Sequence, residues 1–228
     1  MKIVKPWIEI PKLDGVKIMK NLEYDAKQCY HSQNNIQEDS YDHFLRNCIS
    51  RGHESVIEHE KITVRMFCDV GAYKDLTRHR LSSFSVESTR YCNYAKDKFG
   101  GELKFIEPVN LIHDKEKYEL WKKCMQNIED TYNKMASMEA TADQLRMLLP
   151  HSTAAELVWT SDMREWRHIL SLRASKYAHP SIQQLLIPYL LYLKKEMPAL
   201  FDDVEYNEEF PKENYAELRI RNDDIAMY

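Results

Sequence analysis

The sequence predicts an α+β fold, a mixed, mainly antiparallel sheet flanked by long helices, and three observations carry that expectation. Residues 61–68 alternate Ile62, Val64, Met66 and Cys68 with Lys61, Thr63 and Arg65, the period of a half-buried strand. Residues 114–138 place Tyr118, Trp121, Met125, Ile128, Tyr132 and Met135 every three or four positions, the stripe of an amphipathic helix packed in a core or between subunits. Segments of both kinds follow one another without the regular strand–helix alternation of a parallel α/β sheet.

Taken in order, Val16 to Leu22 is expected as a strand, followed by a short helical stretch to about Tyr30. Asp39 or Ser40 caps a helix over 39–51, with Tyr41, Phe44, Leu45, Cys48 and Ile49 at helical spacing and Gly52 ending it. The strand over 61–68 leads into a short helix from about Asp69 towards Arg78. A strand over Leu103–Ile106 ends at Pro108, and the 114–138 helix follows. After Pro150 come a strand over 153–159, a helix from Asp162 to about Lys176, and one from Ser181 to Met197 bent at Pro188. The 228 residues are expected to form a single domain with a charged tail from about residue 202, mostly loop with room for a short helix.

Composition narrows the function. A hydrophobic content of 43% and a charged content of 30% describe a globular chain with an ordinary core. The net charge of −4, from 32 basic and 36 acidic side chains, argues against binding nucleic-acid backbones. Five widely spaced cysteines without a C-x-x-C pair suggest reduced thiols and no zinc site. "GHESVIEH" fails both zinc-helix patterns, because Ile57 and Ser55 stand where histidines are required, so no metal is expected. The opening MKIVKPWIEIP is too short in apolar residues for a signal peptide, and LLIPYLLYL is too short to span a bilayer; a cytoplasmic protein without membrane contact is expected. Five glycines, at 15, 52, 71, 100 and 101, can write neither a G-x-G-x-x-G nor a Walker loop, so any nucleotide phosphate must be held by side chains.

"TRHRLSSFSVESTRY", residues 77–91, supplies such side chains. It gathers three arginines, a histidine and a series of hydroxyls around the single carboxylate Glu87. Arginine's planar fork matches two phosphate or carboxylate oxygens, and hydroxyls fill the remaining lone pairs. Arg78, Arg80 and Arg90 therefore form a candidate anion site; the competing reading is a solvated basic loop paired with surface carboxylates. Arg146 precedes the LLP turn, while Arg164 and Arg173 lie nine residues apart on one helix, about two and a half turns, and so face nearly opposite sides. Residues alone leave three function classes open. These are an anion-binding enzyme of nucleotide metabolism, a single-stranded nucleic-acid module stacking bases on the 14 tyrosines, and a structural oligomer built on the 114–138 helix.

Longer patterns discriminate among them. Arg78-His79-Arg80, seven residues, then Ser88, followed by Thr89-Arg90-Tyr91, resembles the signature of the flavin-dependent thymidylate synthase family. "RGHESVIEH" resembles that family's R-G-H-x-S-x-x-E-H block, "LRMLLP" its A-R-x-x-L-P block, and "REWRHILSLRASKYAH" its N-x-R … L-R … A-Q block, in the same order from about residue 20 to 200. The resemblance implies a homotetramer that binds FAD without a Rossmann fold and builds each active site at subunit interfaces. It implies synthesis of dTMP from dUMP, with methylenetetrahydrofolate as one-carbon donor and NADPH as reductant through the flavin, without a cysteine nucleophile. A flavin- and folate-dependent relative that hydroxymethylates a pyrimidine nucleotide, or a non-catalytic nucleotide-binding protein, is the alternative.

Position by position, the resemblance gives FAD to Ser55, Arg78, His79, Arg80, Asp162, Arg164 and His168, with His53 near the flavin ring where folate stacks. It gives dUMP to Asp75, Arg78, Ser88, Arg90, Arg146 and Arg173, with backbone around Glu87 and Thr89. Arg173 takes the catalytic place at the N3–O2 edge of uracil. The chain departs from the pattern at several points. Val86 stands at the usual carboxylate with Glu87 one residue on, Asp75 replaces a glutamine, Asp162 replaces an asparagine, and Ala178-His179-Pro180-Ser181-Ile182 replaces A-Q-W-E-I.

Overall fold

The computed structural model describes residues 1–95 and 101–222. A five-stranded sheet runs in the order β4 (Ser82–Val86), β6 (Ala154–Asp162), β3 (Lys61–Asp69), β2 (Trp7–Pro11), β7 (Glu217–Arg221). Every neighbouring pair is antiparallel except β2–β7, which matches the expected mixed, mainly antiparallel sheet. A separate parallel pair joins β1 (Lys2–Val4) to β5 (Lys104–Ile106). The central β3–β6 ladder pairs Lys61 with Asp162 and Asp69 with Ala154, and the alternating side chains Ile62, Val64, Met66 and Cys68 are buried as their spacing requires.

The main core lies between this sheet and five helices: α1 (Gly15–Ala26), α2 (Ser40–Ser50), α6 (Met163–Arg173), α7 (Pro180–Glu196) and α8 (Pro198–Phe201). A smaller core of Tyr94, Leu103, Phe105, Met125, Tyr132 and Leu145 forms under α4 (Lys115–Ser137) and α5 (Ala142–Leu145). The short α3 (Val70–Leu76) follows β3 directly, capped by Asp69, whose Oδ1 accepts from the Ala72 amide at 2.7 Å. No helix among the described residues is long and apolar enough to cross a membrane.

Two expectations are corrected. Val16–Leu22 is not a strand but the body of α1. Asp14 caps it by accepting from the Lys17 amide, and Met19, Leu22, Glu23 and Ala26 are buried at helical spacing while Val16 faces solvent. The tail is more than loop: besides the short helical turn allowed for it, here a 3₁₀ turn over Lys212–Asn214, β7 adds a parallel edge to β2. The end of that tail, 223–228, lies outside the described residues.

Candidate functional site

The residues of the "TRHRLSSFSVESTRY" run are positioned by the end of α3 and by β4. α3 ends at Leu76, and the His79 amide donates to the Leu76 carbonyl at 3.2 Å, turning the histidine inward while Arg78 and Arg80 stay exposed. β4 then pairs with β6, Ser82 opposite Ser161 and Val86 opposite Leu157. Beyond it the Tyr91 and Cys92 amides both donate to the Ser88 carbonyl at 3.1 Å, forming the turn that carries Thr89 and Arg90.

His79 is 7% exposed and is seated against the Trp159 ring, with centroids 6.0 Å apart. Trp159 belongs to an aromatic chain that runs from Phe84 through Trp159 and Trp166 to Tyr189, crossing from β4 to α7. The indole of Trp166 donates to the Ile62 carbonyl at 3.2 Å, pinning α6 to β3. α6 thereby brings three polar groups to His79. Arg173 donates from Nε to His79 Nε2 at 3.0 Å and from Nη2 to the Asp75 carbonyl at 3.1 Å. Glu165 Oε1 lies 3.4 Å from His79 Nδ1, and the His168 ring meets His79 edge-on at 6.0 Å.

Burial, with Arg173 and His168 adding to it, pushes His79 down to about 4 from its ordinary 6.5, so the ring is neutral. Its Nε2 accepts from Arg173, which leaves the proton on Nδ1, facing Glu165. The Glu165–His79 contact is thus the approach of a carboxyl oxygen to a neutral imidazole, not a salt bridge. Burial pushes the Glu165 carboxyl up.

Next to this cluster, a cleft of about 940 Å³ is lined by Arg164, Glu165, His168, Asp162, Glu54 and Glu58 among others. Arg164 pairs there with Glu58 at 2.6 Å and Glu54 at 3.6 Å. Ser55 is exposed on the same 3₁₀ turn, Glu54–Glu58, and His53 is exposed just before it. Asp162 Oδ1 accepts from the Glu165 amide at 2.8 Å as the N-cap of α6, a structural duty for a residue expected at the cofactor.

A third group forms at the far end of β4. Arg90 and Arg146 converge on Asp143, at 3.9 and 4.0 Å, all three well exposed. Glu87 is committed to the sheet: its amide donates to the Glu156 carbonyl at 2.9 Å, and its carboxylate accepts from the Tyr94 hydroxyl at 2.9 Å and the Glu156 amide at 3.3 Å. Asp75 contributes its carbonyl to Arg173, and its carboxylate faces Arg78 at 3.9 Å.

The chain therefore joins Asp75, Arg78, His79, His168 and Arg173, and separately joins Arg90 with Arg146. The sequence reading missed Glu165, Trp159 and Asp143. Helical spacing could have found two of them, since Glu165 is three residues before His168 and eight before Arg173, and Asp143 is three before Arg146. Among the described residues, no group of three or more His, Cys, Asp or Glu could hold a metal ion.

The model of the family described as thymidylate synthase complementing protein matches residues 17–199. The flavin-dependent thymidylate synthase of Pyrococcus furiosus is 28% identical over 151 residues, covering 66% of this chain and 61% of that protein. That of Geobacter sulfurreducens is 28% identical over 161 residues, covering 70% and 68%. That of Corynebacterium diphtheriae is 26% identical over 202 residues, covering 81% and 78%. The match thus spans about three fifths of the Pyrococcus protein and over three quarters of the Corynebacterium one.

Proposed function

The chain belongs to the family of thymidylate synthase complementing proteins, and from that membership we propose that it is a flavin-dependent thymidylate synthase. It makes dTMP from dUMP, with methylenetetrahydrofolate as one-carbon donor and NADPH as reductant through FAD, as a cytoplasmic homotetramer. The observation that carries the reading is the Arg173 guanidinium, half-buried and fixed through Nε and Nη2 by His79 and the Asp75 carbonyl. Neither bond uses Nη1, so the fork keeps donor capacity for a ligand.

Arg173 holds the N3–O2 edge of the uracil ring and stabilises the negative charge that develops there. A fixed cation in a partly dry pocket does this better than mobile water, because it needs no reorganisation as charge appears. Arg90 and Arg146 hold the dUMP phosphate, with the Ser88 hydroxyl and the backbone at Thr89. Their pairs with Asp143 are exposed and worth only about 0–1 kcal/mol, so phosphate oxygens displace the carboxylate at little cost. The Glu87 amide is spent on the sheet and has no part in this reading.

The donor set also fits a phosphate-bearing cofactor. Arg78, Arg80 and Arg164 present exposed guanidinium groups, and Arg164's partners, Glu54 and Glu58, stand on an exposed turn. These arginines, with Ser55, His79, Asp162 and His168, would hold FAD. The cleft's own lining is rich in carboxylates, so its Arg164–His168 edge is the part that suits phosphate. When bound and reduced, the flavin supplies the hydride that completes the methyl group. This reading uses no thiol as nucleophile, and Cys68, buried in the sheet with its thiol pushed up by burial, is unsuited to that role.

The test is a visible spectrum of the protein loaded with FAD and bleached by NADPH in the presence of dUMP without oxygen, followed by methylenetetrahydrofolate. Return of the yellow colour with dTMP as product is the expected result. A different pyrimidine product would make the protein a hydroxymethylating relative, and failure to bind FAD would reduce it to a nucleotide-binding protein.

A further inference from the structure

We propose that Glu165 is a positioning residue: its buried carboxylate holds His79 as the Nδ1–H tautomer, so that Nε2 is left to accept from Arg173 and aim the guanidinium. The inference rests on the reading of Arg173 as the uracil-facing group. The resemblance gives His79 to the flavin and is silent on Glu165; the relay follows from geometry.

His79 could hold its proton on either nitrogen, and only one choice suits Arg173. Arginine has no acceptor, so its bond to Nε2 requires that nitrogen to be bare. An Nε2–H tautomer would point a proton at the guanidinium and break the 3.0 Å contact. The choice therefore falls to whatever faces Nδ1, and that is Glu165 Oε1 at 3.4 Å, with both side chains under a tenth exposed. The other groups around the ring do not decide it. Trp159 from β6 offers an aromatic face, His168 from α6 an edge, and Asp75 from α3 bonds Arg173 through its carbonyl.

Glu165 is itself fixed at two levels. Its amide is bonded to Asp162 in the first turn of α6, and that helix is pinned to β3 by Trp166. Arg173 lies on the same helix two turns on, so one rigid element carries both ends of the relay and the histidine closes it from the turn after α3. A carboxylate so placed serves orientation, in the way that acceptors behind a functional histidine choose its tautomer elsewhere.

The test reads the tautomer directly. Protein labelled with ¹⁵N only in histidine imidazoles is measured at pH 7 by magic-angle-spinning NMR, as wild type, Glu165→Gln and Glu165→Met, with His79 assigned by its loss in His79→Gln. The wild type is expected to show a protonated Nδ1 and a bare Nε2. Glu165→Gln keeps an acceptor at Nδ1 and should preserve that state, with dTMP formation within a few-fold of wild type. Glu165→Met keeps the volume but removes the acceptor. It should lose the tautomer preference and about ten- to a hundredfold in kcat/KM, with FAD retained. An Nε2–H signal in the wild type overturns the proposal, and that measurement stands even if Glu165→Met fails to fold. An unchanged tautomer or an unchanged rate in a folded Glu165→Met protein overturns it as well. If the wild type shows the expected tautomer but makes no dTMP, the proposed function falls while the tautomer lock stands.

Discussion

His79 is the residue on which burial and chemistry meet most closely. The folded protein holds it at about 4 where the unfolded chain has 6.5, so between those values the unfolded chain binds a proton that the fold refuses. Stability contributed by the neutral ring is complete above pH 6.5 and declines as the pH falls towards 4. Glu165 works in the opposite sense, since its raised carboxyl keeps a proton in the fold that the unfolded chain has released, an effect lost as pH rises through its folded value. Urea denaturation of Glu165→Gln against the His79→Gln/Glu165→Gln double variant removes that term. Their difference should shrink by on the order of 3 kcal/mol from pH 6.5 to 4; a constant difference would mean the ring is not held neutral. At the same scale, Arg173→Ala should lose nearly all dTMP formation while Cys92→Ala keeps most of it, in steady-state assays of folded, yellow protein. The motif made these arginines visible because their order along the chain is itself the pattern. Trp159 carries no such pattern and Glu165 only its helical spacing to His168 and Arg173, because their role comes from β6 and α6 meeting the turn after α3 in space.

Elements were legible where one signal dominated. The β3 alternation and the α4 stripe both appear at the expected positions, because a sheet face and a helix face impose their periods directly on sequence. Elements with weaker contrast were missed. In β4, half-buried Ser82, Phe84 and Val86 alternate with exposed Ser83 and Ser85, a period of two hidden by serines on both faces. β7 has Ile220 exposed and owes its place to parallel pairing with β2 some two hundred residues earlier, which no local window reveals. α1 was mistaken for a strand because Val16 and Ile18 favour extended chain, whereas the Asp14 cap and the buried Met19–Leu22–Ala26 row decide otherwise. Its first residue, Gly15, lies where any Cβ would collide with the Glu196 carbonyl at the end of α7. Gly15→Ala should therefore cost about 1–3 kcal/mol in chemical denaturation, without changing flavin affinity. Asp162 permits a cleaner separation of roles. Asparagine caps as well as aspartate, so Asp162→Asn should leave stability within a few tenths of a kcal/mol, whereas Asp162→Ala should lose about 1 kcal/mol. A change in FAD affinity in the asparagine variant would then report on the carboxylate's charge at the cofactor, separate from its cap.

At the scale of the whole molecule, the proposed homotetramer with shared sites has a consequence that the arrangement of one chain makes testable. β4 places His79 and Arg173 at one end and the Ser88–Arg90 turn at the other. Five residues of strand span about 17 Å, and the Glu87–Glu156 amide bond carries the chain further in the same direction. A single dUMP held by Arg173 at its ring and by Arg90 and Arg146 at its phosphate is more readily accommodated if the two groups come from different chains. β4 is also an edge strand of the sheet, paired on one side only among the described strands. The resemblance implies sites at subunit interfaces, but the residues alone do not show it: the motif holds His79 and Arg90 in one short run, and the extended β4 separates them. The consequence can be measured with two inactive variants. Arg90→Ala and Arg173→Ala homo-oligomers should each be inactive, yet subunits mixed in equal amounts and reassembled should recover dTMP formation. If each site takes Arg173 from one chain and Arg90 from another, random assembly restores about a quarter of the sites. Mixtures that stay inactive, although mass spectrometry shows the hybrids have formed, would place both arginines of a site in one chain. The loop 87–92 would then have to fold back along β4 when nucleotide binds.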